Sequence, residues 1–251
     1  MGGRAQEDGT PEVTARLKEV TVDPKTVALA KKVNASSVSV PKVARDLEAG
    51  TYKYQAKIEA GGQKIALNVS TAIAEDGGAW TVTDVIETPN GTVTEVSTLE
   101  KGTLISRKLN LKQGPVSIDL SFSGDKAAGT MNMNGQDKPV AVDLGGPLFA
   151  DGAGSKQALA CLPLAEGYSA TYRNFDVLKQ KVKLMQLNVD GVEKVTVPAG
   201  TFDAYKVNIT SADGGDDKET LWVATDSHRA VKESAVLASM GGAVLTQELL
   251  P

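Results

Sequence analysis

Val116, Ile118, Leu120 and Phe122 alternate with Ser117, Asp119 and Ser121, and this pattern limits the chain to few folds. Successive side chains on a strand point to opposite faces, so the run has one apolar and one polar face. Ile65, Leu67, Val69, Thr71 and Ile73 repeat the pattern, as do Tyr52, Tyr54, Ala56 and Ile58. Between such runs lie Gly61-Gly62, Gly77-Gly78, Pro89-Asn90-Gly91, Lys101-Gly102, Gly114-Pro115, Gly124-Asp125 and Asn134-Gly135. These are hairpin-turn signals, recurring at roughly the 8–12-residue spacing of all-β proteins. One-sided strands joined by short turns must pair antiparallel. Val and Thr supply 48 of the 251 residues, a bias in the same direction. The pattern predicts an all-β fold: a large curved antiparallel sheet or half-barrel of twelve or more strands, with one or two short helices.

Residues 1–46 do not share this pattern. Met1 to Pro11 is polar and aperiodic, and Asp23-Pro24 ahead of Lys25–Val33 supplies a helix cap and a first-turn proline. This predicts a mobile N-terminal segment with a short helix over 1–46, followed by one antiparallel β domain over 47–251. The strand pattern pauses at Gly145-Gly146-Pro147. Ser155 is placed to cap a short helix that runs through Leu162 and is ended by Pro163. Strands resume near Tyr168, and Val182–Val189 and Glu193–Val197 read as separate runs. The domain thus divides into halves 47–146 and 164–250 with a crossover between them. Pro198-Ala199-Gly200 predicts a tight turn.

The scarce residues exclude most chemistry. With Cys161 as the one cysteine, neither an intrachain disulfide nor a thiolate zinc site can form. His228, the one histidine, lies in the polar cluster Thr225-Asp226-Ser227-His228-Arg229, which reads as a turn, and no G-x-S-x-G elbow is present. The acidic run Asp213-Gly214-Gly215-Asp216-Asp217 lacks the spacing of a calcium loop and reads as a hairpin tip. No catalytic residue, metal or cofactor is expected, and the chain reads as a non-enzyme. A hydrolase built on a carboxylate pair is the third class weighed, but no pair stands out among the 31 acidic residues. Lys and Arg total 27, leaving a net charge of −4, which argues against a nucleic-acid partner. No apolar run reaches the ~18 residues of a membrane-spanning helix.

Three stretches carry a family resemblance: Leu47-Glu48-Ala49-Gly50-Thr51-Tyr52-Lys53-Tyr54, Leu162-Pro163-Leu164-Ala165-Glu166-Gly167-Tyr168, and Val197-Pro198-Ala199-Gly200-Thr201-Phe202-Asp203-Ala204-Tyr205-Lys206-Val207. Leu221-Trp222-Val223 and Arg229-Ala230-Val231-Lys232 extend it. Over roughly residues 47–250 the chain resembles the bacterial domain-of-unknown-function 3108 family and its relatives. The resemblance implies an exported envelope protein with a curved sheet similar to the half-barrel of lipoprotein carriers. It also implies a periplasmic or cell-envelope location, on the assumption that an export signal has been removed from this chain.

The leading functional reading is an extracytoplasmic, non-enzymatic binding protein that holds a lipid or other apolar small molecule on a concave sheet. Trp80, Ile118, Leu120, Phe122, Met131 and Met133 are its candidate lining, aromatic and flexible apolar groups on alternating strands. Packed core under a helix or second sheet is the commoner fate of such alternating strands, and the same residues suit that role better. The alternative is a structural or interaction module of the envelope with a protein partner at a sheet edge and no small-molecule ligand.

Overall fold

Alternation and turn chemistry act together to build the sheet. A computed structural model describes residues 38–237 and 240–251; the helix expected over 25–33 lies outside them. The first meander comprises β1 (Gly50–Ala60), β2 (Gln63–Asp76), β3 (Ala79–Thr88), β4 (Gly91–Glu100), β5 (Ser106–Gln113), β6 (Val116–Ser123), β7 (Lys126–Met133) and β8 (Gln136–Asp143). A crossover carrying α1 (Ser155–Ala160) leads to β9 (Ser169–Asp176), β10 (Lys181–Val197), β11 (Gly200–Ser211), β12 (Lys218–Ala224), β13 (Ala230–Leu237) and β14 (Ala243–Leu249). All belong to one antiparallel, unclosed 14-stranded sheet in the order β8-β7-β6-β5-β4-β3-β2-β1-β14-β13-β12-β11-β10-β9. Among the described residues no helix is long and apolar enough to cross a membrane.

The two meanders join at β1 and β14, where Tyr54 faces Leu249. Two-residue turns fall on the sequence signals Gly61-Gly62, Gly77-Gly78, Gly114-Pro115, Gly124-Asp125 and Asn134-Gly135. Pro198-Ala199 forms the β10–β11 turn, and Gly200 after it adopts φ +139°, which a side chain disfavours. β10 is one strand rather than two. An extra residue, Asp190, sits between the paired positions Val189 and Gly191, a β-bulge. The outer part of the hairpin then packs Val195, Val197 and Ala204 against Tyr54, Val69 and Leu249.

The crossover runs through the core instead of over a surface. Phe149, Ala158, Leu159 and Leu162 are buried against Val82 and Leu99 of one meander and Leu187, Ile209 and Leu221 of the other. Each of the large ones, Phe149, Leu159 and Leu162, gains about 1.5–3 kcal/mol on burial, so the crossover is a main source of cohesion between the halves. It also bonds the backbone of β5 in the first meander and of the edge strand β9 in the second. Ser106 N–H donates to the Leu148 carbonyl at 3.1 Å, and Phe149 N–H donates to the Arg173 carbonyl at 3.3 Å.

α1 begins differently from the sequence expectation. Its cap is Gly154, in the left-handed region at φ +73°, and Ser155 is the first helical residue. The sheet satisfies this end: Gly154 N–H donates to Asp84 Oδ2 at 3.0 Å and Ala153 N–H to Ser97 Oγ at 2.9 Å. Gly154 passes so close to β3 that a Cβ there would lie 2.4 Å from Val82 Cγ1. The helix ends at Ala160, short of Leu162.

Residues 38–46, grouped by sequence with the N-terminal segment, lie against the sheet. Val40 and Val43 pack on the core. Ala44 N–H donates to the Cys161 carbonyl at 2.9 Å, and Asp46 accepts from Trp80 Nε1 at 2.5 Å and Gly102 N at 3.0 Å.

Candidate functional site

The sheet face that carries α1 is largely filled, so room for a ligand depends on where the crossover leaves off. Leu120, Phe122 and Met131 are buried with Leu144 and Leu148 of the crossover and Phe175 of β9. Phe122 and Phe175 meet edge to face with ring centroids 6.4 Å apart. Trp80 is buried in a separate cluster, its Nε1–H held by Asp46. These four candidates are core side chains. Ile118, buried in the same cluster as Leu120, and Met133, packed against that cluster, also line an open cleft of about 450 Å³.

That cleft lies where the first meander meets the β9–β10 turn. Leu109, Leu111, Val116, Ile118 and Met133 form one wall, from β5, β6 and β7, and Phe175, Val177 and Leu178 form the other. Leu178 is 67% exposed at this turn, unusual for a leucine beside an apolar wall. Asp151 and Gly152 from the crossover, Glu95 from β4, Gln113 from β5, and Asn174 and Asp176 from β9 complete the lining.

The Asp151 and Glu95 carboxyls are held in place by backbone. Asp151 is 4% exposed, and its Oδ1 accepts from Phe175 N–H at 3.1 Å. Ser106 Oγ accepts from Asp151 N–H at 3.1 Å, which fixes the crossover here. Glycine at 152 allows the approach, because a Cβ would lie 2.4 Å from Ser97 Oγ and 3.0 Å from Glu95 Oε1. Burial drives the Asp151 carboxyl up to about 7, with the neighbouring Glu95 adding to the rise. Burial likewise raises Glu95 to about 7, reinforced by Asp84. Both sites disfavour negative charge unless a cation or donor arrives.

A second polar group, around α1, is structural. Lys156 lies 3.3 Å from Gln247 Oε1, 3.8 Å from Glu233 Oε2 and over the Tyr54 ring at 4.7 Å. Tyr54 Oη donates to the Ala230 carbonyl at 2.9 Å and accepts from Gln157 Nε2 at 3.0 Å. These bonds fasten the helix to β1, β13 and β14. Glu219, buried beside Glu233, is pushed up to about 8 by that burial.

Cys161 and His228 sit near the end of α1. The Cys161 Sγ–H donates to the Gln157 carbonyl at 3.4 Å, and burial pushes its pKa up to about 12, so it remains a thiol. His228 stands at φ +50° after the Thr225–Ser227 turn, and its ring bonds the Ala160 carbonyl. Burial lowers its pKa, with Arg45 contributing. Its Nδ1 is buried without a hydrogen-bond partner among the described residues.

Sequence reasoning reached Ile118 and Met133 through the alternating stripe and missed the opposite wall. Val177-Leu178, two apolar residues at the end of a strand, was the available signal. Asp151, an acid ending Leu148-Phe149-Ala150, was another.

Among curated proteins none matches the chain. A solved protein of Bacteroides fragilis, named as a candidate exported protein with a YmcC-like fold, is 10% identical. The match covers 83% of this chain and 97% of that one, at a TM-score of 0.31. A DUF1329 family protein of Desulfovibrio piger is 11% identical, with 87% and 88% covered and a TM-score of 0.29. Residues 42–246 match the family described as "Protein of unknown function (DUF3108)". With most of its length matched, strands and crossover alike, the chain belongs to the DUF3108 family.

Proposed function

We propose that the protein is a non-enzymatic binding protein that holds a lipid or other apolar small molecule in the cleft between β5–β7 and the β9–β10 turn. The cleft itself carries this reading: about 450 Å³ of space with apolar walls, the buried Asp151 carboxyl and the half-buried Glu95 carboxyl. Binding sites take this form, mostly apolar with a few fixed polar groups. The protonated Cys161 supports a non-enzymatic role, since burial pushes its thiol up to about 12 and leaves it a weak nucleophile. An envelope setting belongs to the same proposal and rests on the sequence resemblance; cell fractionation tests it.

Partner binding at a sheet edge has less support. The crossover already bonds β9 at Arg173 and Phe175. β8 presents Asp137, Lys138, Pro139 and Asp143, residues that discourage strand addition.

The test is uptake of N-phenyl-1-naphthylamine, an apolar dye that fluoresces when shielded from water. Saturable uptake is expected, with loss in Leu178→Asp, which charges the cleft mouth at an exposed position. No saturable uptake, or uptake indifferent to Leu178→Asp, overturns the proposal. Solvent extraction and mass spectrometry of the purified protein then identifies what it carries.

A further inference from the structure

We propose that the cleft selects single-chain amphiphiles whose headgroup is a protonated amine, the tail lying on the apolar walls and the ammonium between Glu95 and Asp151. This rests on the binding reading above and adds the ligand's chemistry. Three acidic side chains line the cleft (Glu95, Asp151 and Asp176), and no lysine or arginine does. Asp176 is engaged elsewhere, with Lys183 at 3.6 Å and Lys179 at 3.7 Å. Among the described residues, neither Glu95 nor Asp151 has a basic side chain within ion-pair distance. Lys156, which Glu95 feels electrostatically, is spent on Gln247, Glu233 and Tyr54.

An anionic headgroup entering here meets two carboxyls in a poorly solvated place. A neutral hydroxyl gains one ordinary hydrogen bond. An ammonium gains charge-assisted bonds to both carboxylates and restores their charged forms, which burial alone penalises. The walls set the tail: Leu109, Leu111, Val116 and Ile118 opposite Val177 and Leu178 suit an unbranched alkyl chain.

The experiment displaces bound N-phenyl-1-naphthylamine with decylamine, decan-1-ol and decanoate, probes of equal chain length, each below its aggregation limit. Decylamine is expected to displace the dye at about one-tenth the concentration the other two require, the scale of one charge-assisted bond. The isosteric double variant Glu95→Gln, Asp151→Asn is expected to lose the amine preference, decylamine displacing whatever dye it holds no more readily than decan-1-ol does. Equal displacement by all three probes on the unaltered protein overturns the inference, as does a preference that survives in the dye-binding double variant. If the dye never enters the unaltered protein, the binding reading falls first. If it enters without amine preference, the headgroup assignment alone fails. The three-probe comparison decides even where the double variant does not fold.

Discussion

Asp151→Asn isolates what the buried acid does to the folded protein. A free aspartate titrates at 3.8, whereas burial in the cleft floor raises Asp151 to about 7. Between roughly pH 4 and pH 7 the folded chain keeps a proton that the unfolded chain has released. Stability then falls as pH rises, because the unfolded state binds fewer protons. Above about pH 7 both states are ionised and the loss is complete. Each pH unit crossed between those two values costs about 1.4 kcal/mol, so the whole window accounts for roughly 4 kcal/mol from this one group. Asparagine keeps the oxygen that accepts from Phe175 N–H but cannot ionise. Urea unfolding of both proteins at about pH 5, 6 and 7 should show the unaltered protein losing stability more steeply, by on the order of 1 kcal/mol per pH unit. Glu95 and Glu219, raised to about 7 and about 8, give both proteins a shared slope of the same sign, so the difference between curves is the diagnostic. Parallel curves, or a steeper fall in the variant, refute the argument.

Leu120 is 1% exposed beneath the crossover, so Leu120→Ala should cost about 2–5 kcal/mol in urea unfolding; a cost under about 1 kcal/mol would show that this face is not core. Gly129 pairs with Leu120 at φ +155°, where a Cβ would lie 2.0 Å from the Asp119 carbonyl oxygen. Gly129→Ala should therefore destabilise well beyond Gly62→Ala, made at a hairpin tip with open space around it, and equal costs in the same denaturation series would contradict the close approach.

The strands were legible because burying one face imposes period two on the sequence, and the run Val116–Phe122 carries that imprint unbroken. β10 was legible only in pieces, because Asp190 adds a residue to one strand and not to its partner. That mismatch is a property of the pair, which neither strand displays alone. Ser155 has the chemistry of a cap, yet Asp84, far away in sequence, supplies the acceptor and a tight approach to Val82 demands glycine at 154. The site divides in the same way. Ile118 and Met133 belong to a stripe that sequence reveals, whereas Glu95 and Asp151 meet only because the crossover delivers one to the other. Trp80 suited core better than lining but could be read as either, until its burial and the contact with Asp46 placed it.

The seam between β1 and β14 bears on how the protein is made. Every other strand pairing is a hairpin or short connection within one meander, so these can zip together without waiting for distant parts of the chain. β1 and β13 must wait for Ala243–Leu249, the last strand of this sheet in chain order, before their inner edges are covered. Until then two rows of unpaired backbone groups lie open at what becomes the middle of the sheet, where another nascent chain can add. The interval before β14 docks is therefore the moment of greatest exposure to misassembly, and a chaperone that shields strand edges would act on this protein late in folding rather than early.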